Sequence, residues 1–347
     1  MFFAVFLSID SGAKQNVTDG IGMEWVTDEG YISTGSTLKV PALPNPGQEA
    51  LTTARYFPGD WSKSCYVLPA VGGKTYLVRV GILHGEAPEL PLPVEFNFTI
   101  NSNYWFTFSL IVGDRGLLYP FLKEAIFYNQ RDHIDVCVTR AAQGIPWIST
   151  LELRQMPEGT YSIAKSENML MYALYRYNMG IKVENEVVVR WPDDLYDRVW
   201  YPADLAEFPK GERVSNSTEI FVLTDPLPGY NLPPYAVMKD ALVGPDLTFD
   251  WPLWKETEAV HIVTYHQRMT NASEHFLVGF EKSMTVVNLT DYHAIQLMWS
   301  QNISAPTVNI TIVGSALDNG DAVLNAMEVY GISEIDSTFT FDGDGKW

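Results

Sequence analysis

From Val94 to Ile100 every second residue is apolar. Val94, Phe96, Phe98 and Ile100 point one way, and Glu95, Asn97 and Thr99 the other. A period of two marks a strand with one buried face. The same alternation runs through Tyr76, Val78, Val80 and Ile82, through Ile134, Val136 and Val138, and through Phe106 and Phe108. Turn residues separate these runs: Gly72-Gly73, Pro91-Leu92-Pro93, Gly113-Asp114-Arg115-Gly116 and Asn319-Gly320-Asp321. Many short strands punctuated in this way predict an all-β chain of sandwich type. One segment departs from the pattern. In residues 166–177, Met169, Leu170, Ala173 and Tyr177 stand at helical spacing and predict a short helical connector.

The chain also repeats itself. Gly144-Ile145-Pro146-Trp147 leads into Leu151-Glu152-Leu153, and Gly320-Asp321-Ala322-Val323 leads into Met327-Glu328-Val329. Each is a turn followed by an extended run that closes on aliphatic-Glu-aliphatic. Earlier segments match in the same order: Trp25-Val26-Thr27-Asp28 with Trp191-Pro192-Asp193-Asp194, and Thr75–Val80 with Ala259–Thr264. A repeat this long predicts tandem domains rather than a solenoid. The expected boundaries are a first domain over 1–156, a connector over 157–177, a second domain over 178–332 and an acidic tail or linker over 333–347. The Pro/Gly-rich stretch 210–234 reads as a long loop of the second domain.

A length of 347 residues suits two domains, and a net charge of −19 argues against nucleic acid and anionic membrane surfaces as partners. Asp28-Glu29 and Asp193-Asp194 look like paired acids, but neighbours on a strand point to opposite faces, so they are expected to hold turn amides rather than act as an acid/base pair. Arg198 is expected to pair with a nearby Asp. The six histidines show no HExxH spacing, and there is no Gly-rich phosphate loop or GxSxG. Neither a metal nor a cofactor is expected, nor is an enzyme. Seven Asn-x-Ser/Thr sequons, at Asn16, Asn97, Asn216, Asn271, Asn288, Asn302 and Asn309, point to the secretory pathway and to glycosylation. Asn97 and Asn309 alternate with apolar neighbours and so fall on a solvent face. In that compartment Cys65 and Cys137 read as a disulfide; two buried thiols are the other possibility. Residues 1–7 are apolar but shorter than a signal-peptide core, and no run reaches the ~20 apolar residues of a membrane span.

A family resemblance rests on Ser8-Ile9-Asp10-Ser11-Gly12-Ala13, Trp25-Val26-Thr27-Asp28-Glu29-Gly30-Tyr31-Ile32, Cys65-Tyr66-Val67-Leu68-Pro69 and Trp147-Ile148-Ser149-Thr150-Leu151-Glu152-Leu153. Further along it rests on Trp191-Pro192-Asp193-Asp194-Leu195-Tyr196-Asp197-Arg198-Val199-Trp200 and Leu324-Asn325-Ala326-Met327-Glu328-Val329-Tyr330. Taken in order over about 8–332, these segments resemble the malectin-like ectodomains of plants. The resemblance implies two tandem malectin-type, jelly-roll-like β-sandwiches. It also implies a non-enzymatic module, extracellular, in the apoplast or as an ectodomain at the plasma membrane, that holds a peptide, a partner protein or a neutral glycan at an interdomain cleft or at loop ends. Two alternatives stand beside this: a lectin for neutral glucose oligosaccharides in wall sensing or ER glycan binding, and an accessory domain of a carbohydrate-active enzyme. The chain departs from the family pattern at Ser11, where many members have Cys, and at His84, where an aromatic is usual.

A neutral-sugar site needs aromatic faces and a few polar groups. Carried across from the family's lectin, the aromatic positions fall on Trp25 and Tyr56 in the first domain and on Trp191 and Tyr265 in the second, with Asp318 or Asp321 near the acidic position. The remaining first-domain positions fall near Glu86, Ala87 and Gly144, which cannot stack. Weak or absent affinity for glucose disaccharides is therefore expected, and core packing of Trp25 and Tyr56 is the competing reading.

Overall fold

Residues 5–41, 49–59, 62–114, 118–181, 188–203, 211–215, 231–253, 257–267, 269, 274–280, 283–289, 294–303, 307–314 and 320–335 are described by the computed structural model. The chain divides into two units. The first comprises Met1–Glu158, Ser162–Tyr172 and Glu334–Trp347, the second Gly159–Tyr161 and Ala173–Ser333.

The first unit carries β1 (Phe6–Asp10), β2 (Val17–Thr18), β3 (Glu24–Thr27), β4 (Ser36–Lys39), β5 (Thr53–Tyr56), β6 (Lys63–Pro69) and β7 (Lys74–Ile82). It continues with β8 (Val94–Ile100), β9 (Asn103–Leu110), β10 (Phe121–Asn129), β11 (His133–Gln143), β12 (Trp147–Ile148) and β13 (Thr150–Gln155). One sheet runs β2-β3-β1-β13-β7-β10, a second β6-β11-β8-β9, and a small third β12-β5-β4. The alternation read from the sequence sets the two main faces. Val78, Val80, Leu151 and Leu153 from the first sheet meet Phe96, Phe98, Val136 and Val138 from the second in one core. Cys65 and Cys137 lie directly opposite each other on β6 and β11 and are joined as a disulfide. They alternate with buried Tyr66 and Val136, so the bridge lies on the side of the sheet away from that core.

The second unit repeats this plan, with no counterpart of β2 among the described residues. It holds most of β14 (Met169–Asn178), then β15 (Tyr201–Pro202), β16 (Glu212–Ser215), β17 (Asp240–Gly244), β18 (Phe249–Pro252) and β19 (Ala259–Gln267). After these come β20 (Glu274–Phe280), β21 (Ser283–Leu289), β22 (Ala294–Asn302), β23 (Thr307–Gly314), β24 (Ala322–Leu324) and β25 (Ala326–Glu334). The orders β15-β14-β25-β19-β22, β18-β23-β20-β21 and β24-β17-β16 answer to β3-β1-β13-β7-β10, β6-β11-β8-β9 and β12-β5-β4. Even the parallel pair recurs: β1 with β3, and β14 with β15. A second core gathers Phe276, Val278, Phe280, Ile310, Ile312, Val260, Ile262 and Val329. On the β18–β23 pair, Asp250 stands opposite Asn309, whose side-chain amide donates to the Asp250 carboxylate at 2.9 Å.

Four sequence expectations need correction. Residues 166–177 do not form a helix: the helical turn α1 is only Ile163–Ser166, and β14 follows. Three tyrosines favour a strand there, and the alternation is real but polar, with Arg176 and Asn178 buried on one face and Tyr175 stacked on Tyr177 on the other. The boundary between the units falls inside β14, after Tyr172, rather than around a helical connector. Within the expected loop 210–234, Glu212–Ser215 form a strand on β17, and Asn231 is buried; 216–230 lie outside the described residues. In the expected tail, β25 continues through Glu334, and the Ile335 N–H donates to the Asn168 carbonyl.

Candidate functional site

The residues expected to face a ligand fall in unlike places. Trp25 is buried on β3, and its indole N–H donates to Asp19 Oδ2 at 2.9 Å. The other Asp19 oxygen accepts the N–H groups of Ile21 and Met23. Trp200 is built the same way, with its indole on Asp194 Oδ2 at 2.8 Å while Asp194 Oδ1 accepts the Tyr196 N–H. The repeat is thus an Asp with a Trp six positions later, and Trp25 corresponds to Trp200, not to Trp191. Trp191 is half-buried, and its N–H donates to Asp197. Tyr265 is fully buried, its hydroxyl on Glu328. Tyr56 is half-buried against the first core, and Asp321 is exposed. Asp318 lies outside the described residues. Trp25 and Tyr265 therefore offer no stacking face, and packing is what the structure shows for both.

The repeated glutamates are the centres of two buried ion networks. Glu152 accepts from Arg79 and Arg154, each at 2.7 Å, and Arg79 also binds Glu124 at 2.7 Å. Glu328 accepts from Arg176 at 2.7 Å and from the hydroxyls of Tyr161, Tyr265 and Tyr330. Burial alone would raise the Glu328 carboxyl, but Arg176 and Arg198 with two phenol donors hold it below the usual carboxylate range. Arg198 pairs with Asp194 as expected. Asp28 accepts the Gly12 N–H and the Nε and Nη2 groups along one edge of the Arg55 guanidinium. Burial pushes His261 and His266 down to about 4, so both are neutral at pH 7. These acids and cations neutralise one another, which suits a rigid frame rather than proton transfer.

Asp10 is an exception. Burial, opposed by a hydrogen bond from Thr53 and reinforced by Asp28, raises its carboxyl to about 7. A group whose folded value lies above its unfolded one stabilises most below the unfolded value, and that contribution fades as pH rises to the folded one. Between pH ~4 and ~7 the native protein should therefore lose stability relative to Asp10→Asn. Each unit of the shift is worth about 1.4 kcal/mol. Parallel urea titrations of the two proteins across this window check it; an unchanged difference would contradict it.

Four exposed apolar residues of the first unit lie on one connection at one end, while Phe6, Val67, Val71 and Tyr104 are exposed elsewhere on the unit. Ile82 is paired with Phe121 and Val94 with Leu110, so the β7–β8 and β9–β10 connections leave the sheets together. The first is held from beneath: Trp147 Nε1 donates to the Leu83 carbonyl at 3.0 Å, and His84 binds the Leu90 carbonyl at 2.8 Å with its ring edge-on to Trp147. Gly85 has φ +57, and a Cβ there would strike Val40 and Pro41, so the turn needs glycine. On the second connection Ile111, Val112 (75% exposed), Leu118 and Tyr119 (63%) stand in solvent. Glu86, Glu89 and Asp114 are exposed on the same two connections. Sequence reasoning read Gly113-Asp114-Arg115-Gly116 only as a turn; the apolar residues on either side of it were the available signal.

A family model described as "Malectin-like domain" matches residues 9–332. The probable LRR receptor-like serine/threonine-protein kinase MEE39 of Arabidopsis thaliana is 32% identical over 217 residues, 61% of this chain and 23% of that protein. The chain spans 21% to 38% of the length of eight curated relatives it matches. The crystal structure of the ANX2 ectodomain from Arabidopsis thaliana shares the fold, with TM-score 0.76 at 16% identity over 95% of this chain and 97% of that one. So does a crystal structure of the plant peptide RALF23 in complex with FER and LLG2, with TM-score 0.73 at 14% identity and 95% of both chains covered. No helix among the described residues is long and apolar enough to cross a membrane. With the family model matched over nearly its whole length, the chain belongs to the Malectin-like domain family.

Proposed function

We propose that the chain is an extracellular, non-enzymatic recognition module whose first unit holds a basic peptide, or a basic segment of a partner protein, on the loop end formed by the β7–β8 and β9–β10 connections. The observation that carries this is that Ile111, Val112, Leu118 and Tyr119 are each exposed on the β9–β10 connection, with Glu86, Glu89 and Asp114 exposed on the same two connections. Apolar anchors beside charge are how protein interfaces combine affinity with steering, and a chain of net charge −19 favours a cationic partner. A fold relative has been solved with a peptide, RALF23, which makes a peptide the first occupant to test. The sequons at Asn16, Asn97, Asn216, Asn271, Asn288, Asn302 and Asn309 support the secretory pathway, and a glycosylated surface is part of this reading. The neutral-sugar reading loses Trp25 and Tyr265 to the interior.

Selection from a random displayed-peptide library against the folded chain tests the proposal whatever the natural partner is. Enriched peptides should combine Lys or Arg with a large apolar residue and weaken as salt rises. The V112D/Y119A double variant should lose at least about tenfold in affinity, about 1.4 kcal/mol, as expected for removing interface anchors. Acidic or neutral winners, or equal binding by the variant, would defeat it.

A further inference from the structure

On the outer face of the second unit's β18-β23-β20-β21 sheet, the β20–β21 pair carries an exposed apolar stripe, beside polar Asp250, Thr307, Asn309 and Thr311 on β18 and β23. β21 ends this sheet among the described residues, with a neighbour on one side only. Its Val287 and Leu289 are buried in the core, which turns Met284, Val286 and Asn288 outward. Val286, 73% exposed, lies directly opposite exposed Leu277, and Met284 opposite Gly279. A Cβ on Gly279 would run into Met284 Sδ, so the thioether already lies across that gap in the sheet. An apolar edge strand of this kind is a template for edge-to-edge association. In the first unit the equivalent edge strand β9 exposes Thr107, Ser109 and the single aromatic Tyr104, whose hydroxyl binds Thr107, and Thr107 donates to Asn97, the sequon asparagine there.

Asn288 begins the sequon Asn288-Leu289-Thr290 and is exposed on the same strand face as Val286 and Met284. Two residues along a strand is about 6.6 Å, close enough for an attached sugar to reach its neighbour. We infer that Asn288 carries an N-linked oligosaccharide whose first sugars lie over Val286 and Met284, shielding the open edge of β21 and keeping the second unit from pairing with another copy. Pyranose CH groups suit such a face, and their hydroxyls return a hydrated surface to solvent. A glycan at Asn97 would lie beside Thr107 and the lone Tyr104 ring, not along a paired apolar stripe. This inference rests on the secretory reading above.

The test uses the chain secreted from a eukaryotic host. Glycopeptide mass should show Asn288 occupied. Relative to wild type, N288Q should raise the binding of an apolar dye by about two-fold or more and sediment as concentration-dependent oligomers. N97Q should do neither. Adding M284T and V286T to N288Q should restore the wild-type behaviour, which a general folding defect would not allow. If N288Q is not secreted, trimming the folded wild-type protein with an endoglycosidase gives the same comparison. An unmodified Asn288 beside occupied Asn97 and Asn302 would overturn this inference and leave the secretory reading standing; no occupancy at any sequon would remove both. N288Q as monomeric and dye-silent as wild type, or wild type already dimeric through β21, would also overturn it.

Discussion

Glu328→Gln is expected to lower stability by about 3–5 kcal/mol, the usual cost of stripping one partner from a buried ion pair. The glutamate is wholly buried, and Arg176, itself 4% exposed, depends on it for charge balance. Three tyrosine hydroxyls converge on the same carboxylate, and a carboxamide cannot accept from all of them. E328Q/R176M should recover much of the loss, because removing both charges leaves fewer groups unpaired than removing one. The matching change in the first unit, Glu152→Gln, should cost less, since Arg79 keeps Glu124. Urea unfolding of the four proteins decides this; a loss under about 1 kcal/mol for E328Q would show that the network does not bear on stability.

The second large effect concerns the disulfide. Cys65 and Cys137 are 72 residues apart, and closing a loop of that size restricts the unfolded chain by about 4 kcal/mol in the chain-entropy model, with about 2–4 kcal/mol typically realised. The C65S/C137S double variant should lose that amount. Because the bridge ties β6 to β11, hydrogen exchange should speed up most at the amides these strands share, such as those of Leu68 and Val136. An unchanged exchange pattern in β6 and β11 would contradict the assignment. Both effects follow from placing the two repeats in separate cores, so the disulfide variant should leave exchange in β19 and β25 as it was.

The all-β architecture and the tandem repeat were legible because alternation and duplicated segments are local signals. Val94–Ile100 became β8 with the alternating burial its pattern implies. Register was harder. The shared Trp-x-x-Asp pairs Trp25 with Trp191, whereas the physical unit is an aspartate that accepts an indole N–H six residues on, at Asp19–Trp25 and Asp194–Trp200. Residues 166–177 misled because Arg176 reads as solvent-facing until Glu328, 152 positions away, is known to meet it. Burial that depends on a distant partner leaves no periodic trace. The candidate site was the least legible part. The exposure of Val112 and Tyr119 is settled by which strands end beside which, and that follows from the Ile82–Phe121 and Val94–Leu110 pairings rather than from the loop itself.

Hydrogen exchange of the secreted chain, with and without its best selected cationic peptide, tests the recognition surface most directly. The account predicts slowed exchange in residues 83–92 and at Ile111, Val112, Leu118 and Tyr119, with the outer sheet faces unchanged. Protection confined to the second unit, or to the outer face carrying Asn97, would contradict it.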